Sequence, residues 1–514
     1  MAIEESLVRE SYPLIAPFAY ALIQMDAKTK EIVYSVMEAP LTSKESEILE
    51  YLKSNIIITL DRKISDFVSK DASKEESKTN EDRQRDYIKE KMKKFLKANR
   101  KYKVDDGTFE KLLYHVSRDL MGFGVIEPLL KDNNIEDISC DGTRVPIYVW
   151  HREYESIKTN IRFETDKELD NFVIKVAQRS GRHISVANPL LDAALPDGSR
   201  INCTFSKEVT MRGSTFTIRK FKEDPLTIVD MINYNTIDEN IAAFYWYALE
   251  NQKSILIAGG TASGKTSLLN SLAMFIRPGA KIVSIEDTPE LNIPHDNWIP
   301  AIARQGFGGY HTDGSRRGEV NMYDLLRAAV RQRPDFLFVG EVRGAEAYTL
   351  FQAMATGHTG MGTIHGDSAQ GIIRRLESEP MNIPRALIQS LNIIAVQRRV
   401  RREQKHLRRT VEIVEVIEVD QLNEDLVSNR VYGWDGAEDA FVSYGKSYVL
   451  NSISDFYGMG DTQLEDELEN RKTILRWLVK SKRRSYKDVA EAILAYYNDP
   501  FEAIDRAKRE LRRV

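Results

Sequence analysis

Cysteine is almost absent from this 514-residue sequence, which carries only Cys140 and Cys203. Two distant thiols make neither a four-ligand metal knuckle nor a disulfide framework, and they suit a reducing compartment. Net charge is also scarce: 73 Lys+Arg against 77 Asp+Glu leave −4. A surface that coats nucleic acid throughout is disfavoured on that balance, and nucleic acid is not an expected partner. No run approaches the ~18–20 uninterrupted apolar residues of a membrane span. The opening stretch, MAIEESLVRESYPLI, has acids where a signal peptide requires basic residues. Internal repeats are missing as well. What remains is ordinary globular material, 42% hydrophobic and 29% charged, long enough for about two to four domains of ~150 residues.

The chain falls into four stretches of different pattern. Residues 1–60 hold apolar clusters (Tyr12 to Leu22, Ile56 to Leu60) and read as a small helical N-terminal module. Residues 61–104 read as a charged helical linker, because 16 of the 25 residues from Lys70 to Lys94 are charged with mixed sign. Residues 105–224 mix short strand-like runs with one amphipathic helix near Leu169–Ser180, the signature of a compact α+β domain, and Asp224-Pro225 is a candidate hinge. From 225 to 514 apolar runs at 254–258, 281–285, 335–339 and 360–364 alternate with helical patterns at 265–276, 321–333, 344–356 and 368–378. That alternation predicts a doubly wound parallel α/β domain. The alternating tract 411–420 predicts an added antiparallel strand, and the end of the chain reads as a polar helical extension.

One motif dominates. GGTASGKT, Gly259 to Thr266, matches G-x-x-x-x-G-K-[ST] between a predicted strand and a predicted helix. Backbone N–H groups of Gly260, Thr261, Ala262, Ser263, Gly264, Lys265, Thr266 and Ser267 would line a phosphate cradle at the positive end of that helix. In such a loop Lys265 reaches the β- and γ-phosphates and Thr266 ligates Mg²⁺, so the expected cofactor is Mg²⁺ with ATP.

Hydrolysis then requires acids at neighbouring strand ends. The run 335–339 ends in Gly340-Glu341, a Mg²⁺-polarising position where most phosphate-loop enzymes carry Asp; Glu341 would act through water. The run 281–285 ends in Glu286-Asp287, and Glu286 is placed to orient an attacking water, with Asp287 equally read as a cap on the next turn. His358 and His365 flank a glycine-rich strand and suggest a γ-phosphate sensor or relay. Arg212 and Arg219 precede the candidate hinge and could swing over the phosphates as transition-state arginines. Arg304, Arg316, Arg317, Arg327, Arg331, Arg333 and Arg343 are further candidates.

Taken together, GGTASGKT (259–266), IEDTPEL (285–291), FLFVGEVRG (336–344) and GHTGMGTIHG (357–366) resemble the Walker A, Asp box, atypical Walker B and His box of the type II/type IV secretion ATPase superfamily. Upstream, GFGVIEPLL, IEDISCDG, LPDGSR and STFTIRKF resemble its N-terminal domain. Within the superfamily the chain looks most like the archaeal branch and its archaellum motor ATPases, on the tracts 285–298, 304–318 and 381–402; an archaeal adhesion-pilus ATPase is the sister reading.

The resemblance implies a RecA-like phosphate-loop NTPase domain with a PAS-like α+β N-terminal domain. It implies a cytoplasmic homohexamer, peripheral at the inner membrane face, acting on a polytopic membrane platform protein with accessory cytoplasmic motor proteins. By motif position Glu286 is the general base, Glu341 the Mg²⁺-water acid, and His365 and His358 the His box; Arg212 and Arg219 reach the nucleotide from the N-terminal domain. The tetracysteine zinc module of many bacterial members is excluded here. The basic run Arg398–Arg409, with seven Lys/Arg in 12 residues, reads as a solvated strand edge, with an acidic platform loop or an anionic lipid surface as the alternative occupant.

Overall fold

A computed structural model describes residues 7–59, 80–99, 101–221, 224–304, 306, 317–402, 405–420 and 426–512. The chain divides into two compact units, Met1–Phe221 and Lys222–Val514.

The first unit is built on a nine-stranded sheet. Its strands are β1 (Val8–Ile15), β2 (Ala19–Met25), β3 (Ile32–Glu38), β4 (Ile135–Cys140), β5 (Tyr148–His151), β6 (Glu155–Thr159), β7 (Leu190–Ala194), β8 (Arg200–Thr204) and β9 (Thr215–Arg219). They are ordered β1-β2-β3-β6-β5-β4-β9-β8-β7. The β3–β6 pairing is parallel. The helices are α1 (Ser43–Ile58), α2 (Asn80–Ala98), α3 (Asp106–Leu120), α4 (Glu127–Lys131) and α5 (Asp166–Arg179). Helix α5 starts where the Thr165 side chain accepts the Glu168 N–H, and Leu169, Phe172, Val173 and Val176 then recur on one buried face. They join Ile138, Val149, Phe216 and Ile218 in one core. Helices α1, α2 and α3 form a second, smaller core around Leu52, Met92 and Leu113.

The N-terminus departs from expectation. Among the described residues of 1–60, α1 is the one α-helix; β1, β2 and β3 extend the main sheet instead of forming a separate helical module. The reason lies in side chains that fill the shared core. Ala21, Ile23, Tyr34 and Val36 pack with the residues of β4 to β9, and the Tyr12 and Tyr34 hydroxyls both donate to Asp132 Oδ2, at 2.7 and 2.6 Å. Of the expected charged linker, residues 60–79 lie outside the described residues and α2 accounts for most of the remainder.

The second unit has its own nine-stranded sheet: β10 (Ile255–Gly259), β11 (Ile282–Glu286), β12 (Trp298–Ile302), β13 (Phe336–Val339), β14 (Thr359–His365), β15 (Ile393–Arg402), β16 (Lys405–Val419), β17 (Leu426–Asp435) and β18 (Ala440–Ser443). The order is β12-β11-β13-β14-β10-β15-β16-β17-β18. Strands β12 to β15 in that order pair in parallel, and β16 to β18 add on antiparallel. Helices α6 (Ile228–Asn233), α7 (Glu239–Glu250), α8 (Lys265–Ala273), α9 (Met322–Val330), α10 (Glu346–Ala355), α11 (Ala369–Glu377), α12 (Arg385–Ile388), α13 (Tyr448–Tyr457), α14 (Asp461–Lys480), α15 (Tyr486–Asn498) and α16 (Pro500–Leu511) complete it.

Because side chains alternate along a strand, each buried strand feeds two cores. Ile255, Ile257, Phe336, Phe338 and Ile393 pack toward α7, α8 and α14. Leu256, Ala258, Leu337, Val339 and Ile394 pack toward α9, α10 and α11. That two-sided burial is why these strands read as continuous apolar runs, and it is the RecA-like α/β architecture expected of the phosphate-loop domain. No helix among the described residues is long and apolar enough to cross a membrane.

Candidate active site

The parallel strands deliver the chemistry to one edge. Strand β10 ends at Gly259, β11 at Glu286, β14 at His365, and β13 at Val339 just before Gly340-Glu341. The registers set these ends level: Gly259 lies opposite His365, Ile285 opposite Val339, and Val339 opposite Gly362.

After β10 the chain turns into α8 through the phosphate loop. Gly264 adopts φ +91° at the N-cap of α8, a left-handed conformation that glycine takes without a Cβ clash. Ala262 is also left-handed, at φ +58°. A Cβ on Gly259 would stand 2.5 Å from Ser263 Oγ, so only glycine lets the loop fold this tightly. Lys265 is buried and donates from Nζ to the Gly260 carbonyl at 2.8 Å, and Ser263 Oγ donates to the same oxygen at 2.8 Å. Thr266 and Ser267 follow on the first turn of α8.

Among the described residues no group of three or more His, Cys, Asp or Glu side chains could hold a metal. The Thr266 hydroxyl on the first turn of α8 and the Glu341 carboxylate after β13 are hard oxygen donors of the kind Mg²⁺ takes. Thr266 and Glu341 are the protein oxygens that would hold Mg²⁺, which would supply charge neutralisation to the phosphate chain.

Glu286 is 3% exposed. Its Oε1 accepts the backbone N–H groups of Glu290 at 3.0 Å and Leu291 at 3.1 Å. Burial nonetheless pushes its carboxyl up to about 7, with the Glu290 charge adding to the rise and the two N–H donors opposing it. A Cβ on Gly340 would lie 3.1 Å from Glu286 Cγ, so the bare backbone of the neighbouring strand end makes room for this carboxylate. The loop behind it is fixed to α8, since the Asn292 N–H donates to Asn270 Oδ1 at 2.8 Å.

Glu341 meets His365 across adjacent strands, Nε2 to Oε1 at 3.2 Å. The strand ends are laced together by Thr363, whose hydroxyl donates to the Gly340 carbonyl at 2.6 Å and whose own carbonyl accepts the Val342 N–H at 2.7 Å. Arg343 pairs with Asp287, so these two residues join the Asp box to the Walker B segment. Buried Glu346 accepts the N–H groups of Arg343 and Gly344 at 2.8 and 2.7 Å and shapes the turn into α10.

The structure separates the two histidines. His358 stands at the start of β14, where its N–H donates to the Ala353 carbonyl at 3.0 Å and closes α10. Strand β14 has seven residues, which puts His358 roughly 20 Å from the phosphate edge at about 3.3 Å per residue. The two histidines thus flank β14, as their spacing in the sequence implied, with His365 alone at the phosphate edge. Arg212 and Arg219 belong to the first unit, both exposed: Arg212 in the turn before Gly213, Arg219 ending β9 opposite Asp137. Arg304 donates to the Gly318 carbonyl and Arg327 lies over the Tyr323 ring. Arg316 is outside the described residues.

Sequence reasoning missed Arg408 and Gln397. Arg408, on β16, donates from Nε to the Ala262 carbonyl at 3.2 Å. Gln397, on β15, lies opposite Gly259 in the parallel pairing. Arg408 sat inside the basic run 398–409 read as a solvated strand edge, although period-two alternation divides that run into two faces, and Gln397 immediately precedes it.

A model of the type II/IV secretion system protein family matches residues 119–449. An uncharacterized protein of Methanocaldococcus jannaschii is 37% identical over 414 residues, covering 80% of this chain and 74% of its own length. The type IV secretion system protein VirB11 of Bartonella henselae is 30% identical over 282 residues, 48% of this chain and 76% of its own. Among solved structures, the Legionella pneumophila ATPase DotB aligns with a TM-score of 0.40 at 19% identity, over 71% of this chain and 88% of that one.

Proposed function

The chain belongs to the type II/IV secretion system protein family, and from that footing we propose that it is a Mg²⁺-dependent ATPase, a homohexameric motor that assembles and rotates a type IV pilus-like filament, the archaellum. One observation carries the enzymatic part of this reading. A phosphate loop, a buried carboxylate raised to about 7 and a carboxylate–histidine pair share the C-terminal edge of one parallel sheet.

In the proposed reaction Lys265 leaves the Gly260 carbonyl and binds phosphate oxygens, aided by the N–H groups of residues 260–267. Glu286 takes a proton from the attacking water, a task its position near neutrality suits. Glu341 would hold Mg²⁺ through water, the ion supplying charge neutralisation when bound, and His365 holds Glu341 in place. Arg212 and Arg219 are proposed to stabilise the transition state from the first unit.

The archaellum assignment rests on the tracts 285–298 and 381–402, which resemble the archaeal branch, and it is consistent with an archaeal relative along 80% of the chain. The proposed setting is the cytoplasmic face of the cell membrane, with a polytopic platform protein and accessory cytoplasmic motor proteins as partners.

The test has two arms. Purified protein should hydrolyse ATP, with Lys265→Ala losing nucleotide binding and Glu286→Gln losing turnover while still binding. Adding detergent-solubilised archaellum platform protein should then stimulate turnover. Hydrolysis that survives in both variants overturns the site assignment. Stimulation by nucleic acid with steep salt dependence, and none by the platform protein, would make the chain a RecA-like translocase instead. Stimulation only by an adhesion-pilus platform would move it to the sister machinery.

A further inference from the structure

Two adjacent arginines on β16 have opposite fates. Arg409 is buried and neutralised: its Nε and Nη2 grip Asp439 at 2.7 and 2.8 Å, and Asp439 is held well below the usual carboxylate range chiefly by that grip. Arg408 points to the other face, as strand alternation requires. There it is exposed, and its hydrogen bond goes to a neutral partner, the Ala262 carbonyl at the tip of the phosphate loop. No carboxylate among the described residues pairs with it, and its Nη groups make no hydrogen bond among them.

The contact is intimate. Arg408 Cδ lies 3.2 Å from where a Cβ on Gly264 would stand, so the side chain runs along the loop from Ala262 to the N-cap of α8. Ala262 itself sits at φ +58°, a conformation that non-glycine residues hold only when their surroundings fix it. The base of the same hairpin face is also incompletely satisfied. Gln397, 1% exposed and level with Gly259, donates from Nε2 to Thr410 at 2.5 Å, while its buried Oε1 has no partner among the described residues.

We propose that Arg408 is a positioning residue of the nucleotide site: it holds the tip of the phosphate loop through Ala262 and adds a positive charge at the rim, tying nucleotide affinity to the β15–β16 hairpin. This rests on the ATPase reading above. The ligand class is a nucleoside polyphosphate, and the device acts in cis within one chain. It needs no arginine from elsewhere. A guanidinium on a carbonyl gives a charge-assisted bond that fixes loop geometry, and the same charge attracts an incoming polyanion.

The experiment compares the full-length chain with Arg408→Ala, Arg408→Gln and Arg408→Lys by calorimetric titration with ADP and with ATP in Mg²⁺, alongside steady-state turnover. Arg408→Ala should weaken both nucleotides about tenfold, as expected for a lost charge-assisted contact, and kcat at saturating ATP should stay within about twofold. Arg408→Lys should recover most of the affinity and Arg408→Gln little. Melting of the nucleotide-free protein should be unchanged, since the side chain is exposed.

Affinities within twofold of wild type in Arg408→Ala overturn the inference. So does recovery by Gln equal to that by Lys, or a lowered melting temperature that accounts for the loss. Lys265→Ala separates the two levels: if it abolishes binding while Arg408→Ala does nothing, the site stands and only this inference fails; if Lys265→Ala binds normally, the site itself is wrong.

Discussion

Nε2 of His365 lies 3.2 Å from Oε1 of Glu341, joining the last residue of β14 to the acid that follows β13. Neither group reaches this position alone, because the parallel register of β13 and β14 sets their heights and the Thr363–Gly340 hydrogen bond locks the two strand ends. If His365 works by orienting Glu341, the two side chains form one functional unit. Glu341→Ala and His365→Ala should each lower kcat, and the double variant should be no worse than Glu341→Ala. Additive losses in that cycle would show that they act separately.

Glu286 carries the pH dependence. Its carboxyl is pushed up to about 7 by burial, and a general base acts only when ionised. Turnover at saturating ATP should therefore rise about tenfold per pH unit below about 7 and flatten above it. Glu286→Asp should keep a pH-dependent limb at much lower rate. A profile flat from pH 5.5 to 8.5 in the wild-type chain would remove Glu286 as the base.

Much of this site was legible because its motifs are local. GGTASGKT announces its own strand, turn and helix, and Glu286 and Glu341 each follow an apolar run that can only be a buried strand. The pairs that tune these groups were not legible, since Glu341–His365, Asp287–Arg343 and Arg408–Ala262 join distant segments through sheet register. Period-two alternation is clear in β1, yet β2 and β3 carry continuous buried runs at their centres, so their apolar residues resemble fragments of an amphipathic helix until the shared core is seen. The two histidines were legible as the flanks of one strand. Closeness in sequence means opposite ends once the intervening residues are extended.

The C-terminal helices are anchored by a buried cation. Arg471 on α14 is 2% exposed, pairs with Glu250 at the end of α7 and with Glu467, and lies 4.7 Å from the Tyr247 ring centroid and 5.2 Å from that of Tyr496. Arg471→Ala removes the buried one of Glu250's two cations, leaving Arg277, and empties the space against Tyr247 and Tyr496, so it should cost about 2–4 kcal/mol of stability. Arg471→Met keeps the packing volume and should cost less. Urea midpoints of the two variants decide this, and a loss under about 1 kcal/mol in Arg471→Ala would show that the pair is not a principal anchor.

The same burial that readies Glu286 for catalysis should weaken the fold. In the unfolded chain its carboxyl titrates near the ordinary 4.5, and in the folded chain at about 7, so the folded state binds its proton more tightly. Below pH 4.5 both states are protonated and there is no penalty. Between 4.5 and 7 the unfolded state ionises first, and folding loses stability as pH rises, by about 3 kcal/mol at the plateau. Above about 7 both states are ionised and the cost is constant. Glu286→Gln keeps an oxygen to accept the Glu290 and Leu291 N–H groups and carries no charge to bury. The variant should therefore be more stable than wild type, with an advantage that grows from pH 5.5 to 7.5 and then levels. Its turnover should fall by about 100-fold or more, the range for a lost general base. Urea denaturation of the two proteins at matched pH values measures the first effect, and a difference independent of pH would mean that Glu286 is not the group paying for its place in the core.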